Sequence, residues 1–178
     1  MKRLVVVLGM LLGAAFGAQA QWNQDGVPAA DDASRKSAGD LGAMLVFTDR
    51  PEEFLAAWEK AGAAAPVPAA ETVARGKRLV GFIVFTGCAA DARGNCNAVV
   101  TFKLFKPDGS SYGDGDRGEL WSGKPAPRKN QLQLSVGGMA FVPDPGDPLG
   151  RYTMIADIED LVSGKKLHLE KTFVAVER

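Results

Sequence analysis

A single histidine, His168, and two cysteines, Cys88 and Cys96, are all that 178 residues offer as nitrogen or sulfur chemistry. A zinc site of the usual kind needs three or four such ligands, so it is excluded on count. Any Ser/His/Asp hydrolase would have to route its base through His168, and no serine stands in a Gly-x-Ser-x-Gly turn to act as nucleophile. Charge of one sign is also lacking: 21 Lys+Arg face 21 Asp+Glu. A balanced chain has no electrostatic footprint for nucleic acid. Internal repeats are absent, and after residue 16 no apolar run approaches the ~20 residues of a membrane span.

The N-terminus carries an address. Lys2 and Arg3 precede an uncharged apolar stretch, Leu4 to Phe16, and Ala18-Gln19-Ala20 has the small-x-small pattern of a signal-peptidase site. The expectation is a signal peptide over residues 1–20, with a mature chain starting at Gln21. No cysteine follows the small residues, so a lipid anchor is not expected. Removing Lys2 and Arg3 leaves 19 basic against 21 acidic residues, a formal charge of −2. In an oxidising compartment Cys88 and Cys96, with seven residues between them, read as a local disulfide. Loop entropy assigns it ~2.5 kcal/mol, enough to staple a loop and too little to build a fold.

Residues 21–40 hold Gly, Pro, Asp and Ser with Trp22 as the one large apolar group, and read as a flexible lead-in. Residues 41–178 then read as a single domain. Leu41 to Phe47 is a first strand. Asp49 with Glu52 has the form of a capping box, Pro51 suits a first turn, and Phe54, Leu55 and Trp58 make one apolar face of a short helix ending near Lys60. From Thr72 onward the pattern is β. Leu79 to Thr86 has the β-branched and aromatic content of a central strand. Asn97 to Phe105 alternates, Lys106-Pro107-Asp108-Gly109 is a turn, and Leu120-Trp121 suggests a short edge element. Gln131 to Phe141, Tyr152 to Asp160 and Lys166 to Val176 complete about seven strands. Phe82, Val84, Val100, Phe102, Leu134, Val136, Tyr152, Ile155 and Phe173 are the expected core. The fold class is mainly β: a two-sheet antiparallel sandwich with one short N-terminal helix.

The run Gly150-Arg151-Tyr152 opening one strand, Phe173-Val174-Ala175-Val176 closing the last, and the Lys106–Gly109 turn resemble the corresponding parts of bacterial immunoglobulin-like β-sandwich domains of exported proteins. The resemblance spans roughly residues 72–176 and implies the immunoglobulin-like architecture, with no function attached to it.

Four carboxylates, Asp108, Asp114, Asp116 and Glu119, fall in one Gly-rich stretch. Calcium takes hard oxygen ligands from flexible loops, so they are weak calcium candidates, although the spacing is not that of an EF-hand. Ordinary turn chemistry explains the same residues. Asp91-x-x-Gly94-Asn95 is a fainter echo. Asp114, Asp116 and Glu119 beside Trp121 also form a candidate contact for a ligand or partner, with the Cys88–Cys96 loop as the second candidate surface. Met44, Met139, Met154 and His168 make a conceivable copper set, read here as core filler plus a solvated histidine. The expectation is therefore an exported, non-catalytic binding, adaptor or assembly module of the bacterial envelope that needs no cofactor. Its partner would be another envelope protein or a small ligand. The alternative is a calcium- or small-ligand-binding periplasmic protein using loop 108–119.

Overall fold

The computed structural model describes residues 22–24, 27–62, 65–128 and 131–178, so the expected leader, residues 1–20, lies outside the described residues. Among the described residues there are twelve strands and one helix: β1 (Trp22–Gln24), β2 (Val27–Ala29), β3 (Arg35–Ala38), β4 (Leu41–Thr48), α1 (Pro51–Ala61), β5 (Thr72–Ala74), β6 (Leu79–Thr86), β7 (Asn95–Phe105), β8 (Asp116–Pro125), β9 (Gln133–Leu134), β10 (Met139–Phe141), β11 (Gly150–Asp160) and β12 (Lys166–Val176). Among the described residues β1 and β2 pair only with each other. The remaining strands form two five-stranded sheets. The first has the order β10-β6-β4-β3, with β9 also on β6, and the second runs β5-β12-β11-β7-β8. Among the described residues no helix is long and apolar enough to cross a membrane.

The two sheets pack face to face, as the alternating patterns require. Leu45, Phe47, Ile83 and Phe85 of the first sheet meet Phe102, Leu104, Tyr152, Met154, Leu169 and Phe173 of the second in one buried core. β6 is buried along its whole length because α1 covers its other face. Phe54 lies 5.8 Å from Phe82, and with Val46, Val80, Val84 and Leu134 it forms a second, smaller core beneath the helix. Gly81 faces the opposite sheet, where a Cβ would stand 2.6 Å from Met154 Sδ, so a side chain there would displace the methionine.

Several expectations need correction. The lead-in is ordered over residues 35–38, which add β3 to the edge of β4. Its polar residues satisfy backbone locally: Asp32 Oδ1 accepts from the Ser34 amide at 2.8 Å and hydroxyl at 2.9 Å, and Asp31 accepts from the Ser37 amide at 3.0 Å. Asp49 does not cap the helix; Thr48 Oγ1 accepts from the Arg50 amide at 3.0 Å, Pro51 takes the first helical position, and Glu52 pairs with Arg78 instead. One strand pair, β5 on β12, is parallel within an otherwise antiparallel sandwich. β8 is longer than Leu120-Trp121, running from Asp116 to Pro125.

Seven of the nine expected core residues are buried, and Val136 and Ile155 are not. Tyr152 and Ile155 are three apart, so on a strand of period 2 they face opposite sides. Val136 is lost because the expected strand 131–141 breaks into β9 and β10. Ser135 Oγ accepts from the Ile83 amide at 3.1 Å and donates to the Gly137 carbonyl at 2.6 Å. Between β9 and β10 the Val136 amide reaches across to donate to the Leu120 carbonyl of the second sheet at 3.2 Å, before β10 returns to β6.

At the end of the sandwich near the Lys106–Gly109 turn, Tyr112, Phe141, Tyr152 and Phe173 cluster, with the Tyr152 and Phe173 rings stacked at 5.6 Å. Burial, and then the hydrogen bond to Asp147 at 3.1 Å, push the Tyr112 hydroxyl from its ordinary 10.0 up to about 12. Burial raises Tyr152 as well. A raised folded value means stability that is intact below pH 10 and is lost as pH climbs toward 12. Denaturant titrations across that window should show the loss, and Tyr112→Phe should shrink it. An identical alkaline loss in the variant would remove Tyr112 as its source.

Candidate functional site

The most constructed end of the sandwich is where β6 hands over to β7. Gly87 follows β6 with φ +69°, and a Cβ there would stand 1.6 Å from the Asp40 carbonyl oxygen, so only glycine fits. Cys88 and Cys96 are joined as expected, their Cα atoms 5.9 Å apart. Because β6 belongs to the first sheet and β7 to the second, this disulfide staples the two sheets. Within the loop, Asp91 Oδ1 accepts from the amides of Arg93 at 2.8 Å and Asn95 at 2.9 Å. Those backbone hydrogen bonds, Asn95's first, hold the Asp91 carboxyl below its usual range. Its calcium echo is turn chemistry.

Asp160, at the end of β11, was not singled out by sequence and is the key residue here. Its carboxylate is fully buried. Oδ2 accepts from the Ala89 amide at 2.9 Å and the Ser163 hydroxyl at 2.6 Å, and Oδ1 from the Val162 amide at 3.0 Å. One side chain thus bolts the cysteine loop to the β11–β12 turn. A second tie runs from the Leu161 amide to the Asn97 carbonyl at 2.8 Å. The signal was partly visible, since Asp-x-x-Ser-Gly is turn chemistry, but nothing in the sequence marks the carboxylate as buried. Leu161 and Val162 are 45% and 38% exposed at the tip of that turn, and Ala90 and Ala92 are exposed on the neighbouring loop. Two tips stand side by side, one showing Leu161 and Val162, the other Ala90 and Ala92 together with the exposed Arg93.

The acidic stretch lies at the opposite end and along an edge. Asp108 accepts from the Ser110 hydroxyl at 2.7 Å and amide at 2.9 Å, bonds that lower its pKa and close the turn. Asp114 is exposed in the loop before β8. Asp116 opens β8 opposite Phe102, while Trp121 sits five residues on, opposite Ala98. That is ~16 Å along a strand. Glu119 accepts from the Ser122 amide at 3.0 Å and pairs with Lys124 at 3.5 Å. Trp121 is half-buried against Phe85 at 5.8 Å, donates Nε1–H to the Pro125 carbonyl at 3.1 Å, and carries Lys124 over its ring at 5.1 Å. Asp116 thus stands toward the far end of β8, while Trp121 lies nearer the cysteine loop, whose Gly94 carbonyl accepts from the Ala126 amide at 3.0 Å. Among the described residues no three His, Cys, Asp or Glu side chains gather as a metal site.

The copper set is dispersed too. Met44 packs in the helix-side core and Met154 in the inter-sheet core, on opposite faces of the first sheet. His168 is on the outer face of the second sheet, its Nδ1 2.7 Å from Asp157 Oδ1, and Asp157 Oδ2 accepts from Lys103 Nζ at 2.9 Å. Among the described residues no hydroxyl hydrogen-bonds His168 to complete a triad. The trio is a cross-strand charge ladder.

These features define a disulfide-stapled two-sheet sandwich whose most constructed element is a pair of bolted loops. No protein family matches the sequence, and no curated protein does. Among solved structures, the fold is similar to part of a family 123 glycoside hydrolase from Clostridium perfringens, with TM-score 0.44 and 9% identity over 78% of this chain. The chain spans 28% of that enzyme. It is also similar to the CARDB domain of a Pyrococcus furiosus protein in complex with di-metal ions, with TM-score 0.41 and 10% identity, covering 83% of this chain and 99% of that one. A conjugative transposon lipoprotein from Bacteroides eggerthii gives TM-score 0.34 and 16% identity over 60% of this chain and 91% of the other. Likenesses at this level carry no argument about function.

Proposed function

We propose that this chain is an exported, non-catalytic binding module that meets a protein partner of the bacterial envelope through the disulfide end of its sandwich. The observation that supports it is the pairing of two rigid tips: Leu161 and Val162 exposed on one turn, Ala90 and Ala92 on the next loop, both fixed by Asp160. Exposed apolar side chains on a tight turn gain little for a monomer and much for a contact. Pre-ordering by the disulfide and by Asp160 lowers the conformational entropy that binding must offset. This moves the favoured contact away from Asp116, Glu119 and Trp121. The export half of the reading rests on Lys2, Arg3, the apolar run and Ala18-x-Ala20, and on a disulfide that suits an oxidising compartment. An intact mass beginning at Gln21 for protein recovered from the envelope checks that half.

The contact half is tested with a photo-crosslinking residue at position 92, 114 or 162 in the exported protein. Discrete adducts are expected from 92 and 162 and none from 114. Leu161→Asp with Val162→Asp should abolish the adduct from 92 while leaving the melting temperature nearly unchanged. Absence of any adduct from both 92 and 162 would overturn the reading.

A further inference from the structure

The β12 alternation holds an exception. Leu167, Leu169, Phe173 and Ala175 point into the core, and Lys171 occupies the one polar position in that inward series. Its cross-strand neighbour is Met154, itself fully buried. The ammonium sits 5.3 Å over the ring of Phe47 from the facing sheet. Asp32 and Glu71 attract it only at longer range, and no hydrogen bond or ion pair is made to it among the described residues. A lysine at a core register breaks the pattern of its strand, and such local inconsistencies are where functional groups are sought.

The surroundings open a way in. Along the edge of β12, the Glu170 amide donates to the Ala33 carbonyl at 2.7 Å and the Val174 amide donates to the Glu71 carbonyl at 2.9 Å, where the chain enters β5 of the same sheet. Between them lies Thr172, and a cleft of about 590 Å³ lined by Asp32, Glu71, Lys171 and Thr172. We propose that Lys171 is a carbonyl-reactive amine, and that this cleft takes small neutral aldehydes or ketones as reversible imines. The walls bring three carboxylates, Asp32, Glu71 and Glu170, against two cations, Arg151 and Lys171, which disfavours an anionic ligand. Burial, opposed by Asp32 and Glu71, keeps the Lys171 pKa below the ordinary lysine value, the setting in which lysine becomes a nucleophile. The ammonium gives its proton to Asp32, Glu71 or water. The freed lone pair adds to the carbonyl carbon while the C=O pair moves to oxygen; that oxygen takes up a proton from water and the nitrogen, cationic after the addition, releases one to water. The carbinolamine then expels water as the C=N bond forms.

The test treats the intact protein with limiting propanal and cyanoborohydride at neutral pH, and follows each lysine by peptide mass. Lys171 should gain the propyl group several-fold faster than the exposed Lys60 and Lys77. Without the reductant the adduct should vanish on dialysis. Lys171→Arg, which keeps charge and stem, should remove the fast-reacting lysine. Modification of Lys171 no faster than Lys60 and Lys77, or a fast lysine that persists in Lys171→Arg, would overturn the proposal.

Discussion

Replacing Phe173 with Ala is expected to lower the unfolding free energy by about 4 kcal/mol, the range found for large buried aromatics. The side chain is 1% exposed, so its whole apolar surface is removed from water. It is also a junction. Its ring stacks on Tyr152 at 5.6 Å within its own sheet, meets Phe47 edge-on at 5.4 Å across the core, and lies 5.5 Å from Phe141. Phe47 and Phe141 belong to the first sheet, so truncation weakens the sandwich where its layers touch. Each such aromatic pair adds ~0.5–1.5 kcal/mol beyond area burial. The cavity cannot close easily, because its neighbours are fixed in hydrogen-bonded strands. Guanidinium titration should show a lower midpoint at unchanged slope. A loss under about 1 kcal/mol would mean the core collapses into the gap, against the packing described here.

Phe173 also shows what was legible in the sequence and what was not. Period-2 alternation placed it, Phe102 and Tyr152 inward without any structure. The same rule places Ile155, three residues from Tyr152, on the opposite face. The all-apolar run of β6 reported burial on both faces, and Cys88 with Cys96 reported a staple, because both signals are local. Three other features were opaque, each for its own reason. β3 forms where Asp31 and Asp32 tie the chain, a composition that otherwise reads as disorder. The break at Ser135 exists because its hydroxyl takes the amide of Ile83, 52 positions away. Lys171 was hidden because its neighbours in sequence look like any amphipathic strand. In the candidate site, the cysteine loop and the Val162–Gly164 turn were each legible and their joining was not, since it depends on a carboxylate 71 residues from the amide it receives.

That carboxylate carries the second large effect. Asp160→Ala is expected to cost about 3–5 kcal/mol. The amides of Ala89 and Val162 and the hydroxyl of Ser163 would lose their acceptor, as would the Ser163 amide at 3.4 Å, and the Asp160 carboxylate they share is itself fully buried. Leaving a buried donor unsatisfied costs ~1–3 kcal/mol apiece, and bonds to a charged acceptor lie at the upper end. Full additivity is not expected, because Ser163 can rotate toward solvent and the turn can loosen. Asp160→Asn separates the two contributions. Its carbonyl oxygen can keep the Val162 amide, but its NH₂ would confront the Ala89 amide and the Ser163 hydroxyl, donor against donor. It should therefore recover only part of the loss. The local signature matters more than the global one. With the Cys88–Cys96 bond intact, the cysteine loop remains tethered in both variants, yet amide exchange at Ala89 and Val162 should rise well beyond what global destabilisation explains. Crosslinking through position 92 or 162 should fall with it, since the two tips would no longer be held side by side. A stable Asp160→Ala protein, within about 1 kcal/mol of the parent and with unchanged exchange at Ala89, would show that the disulfide alone orders this end.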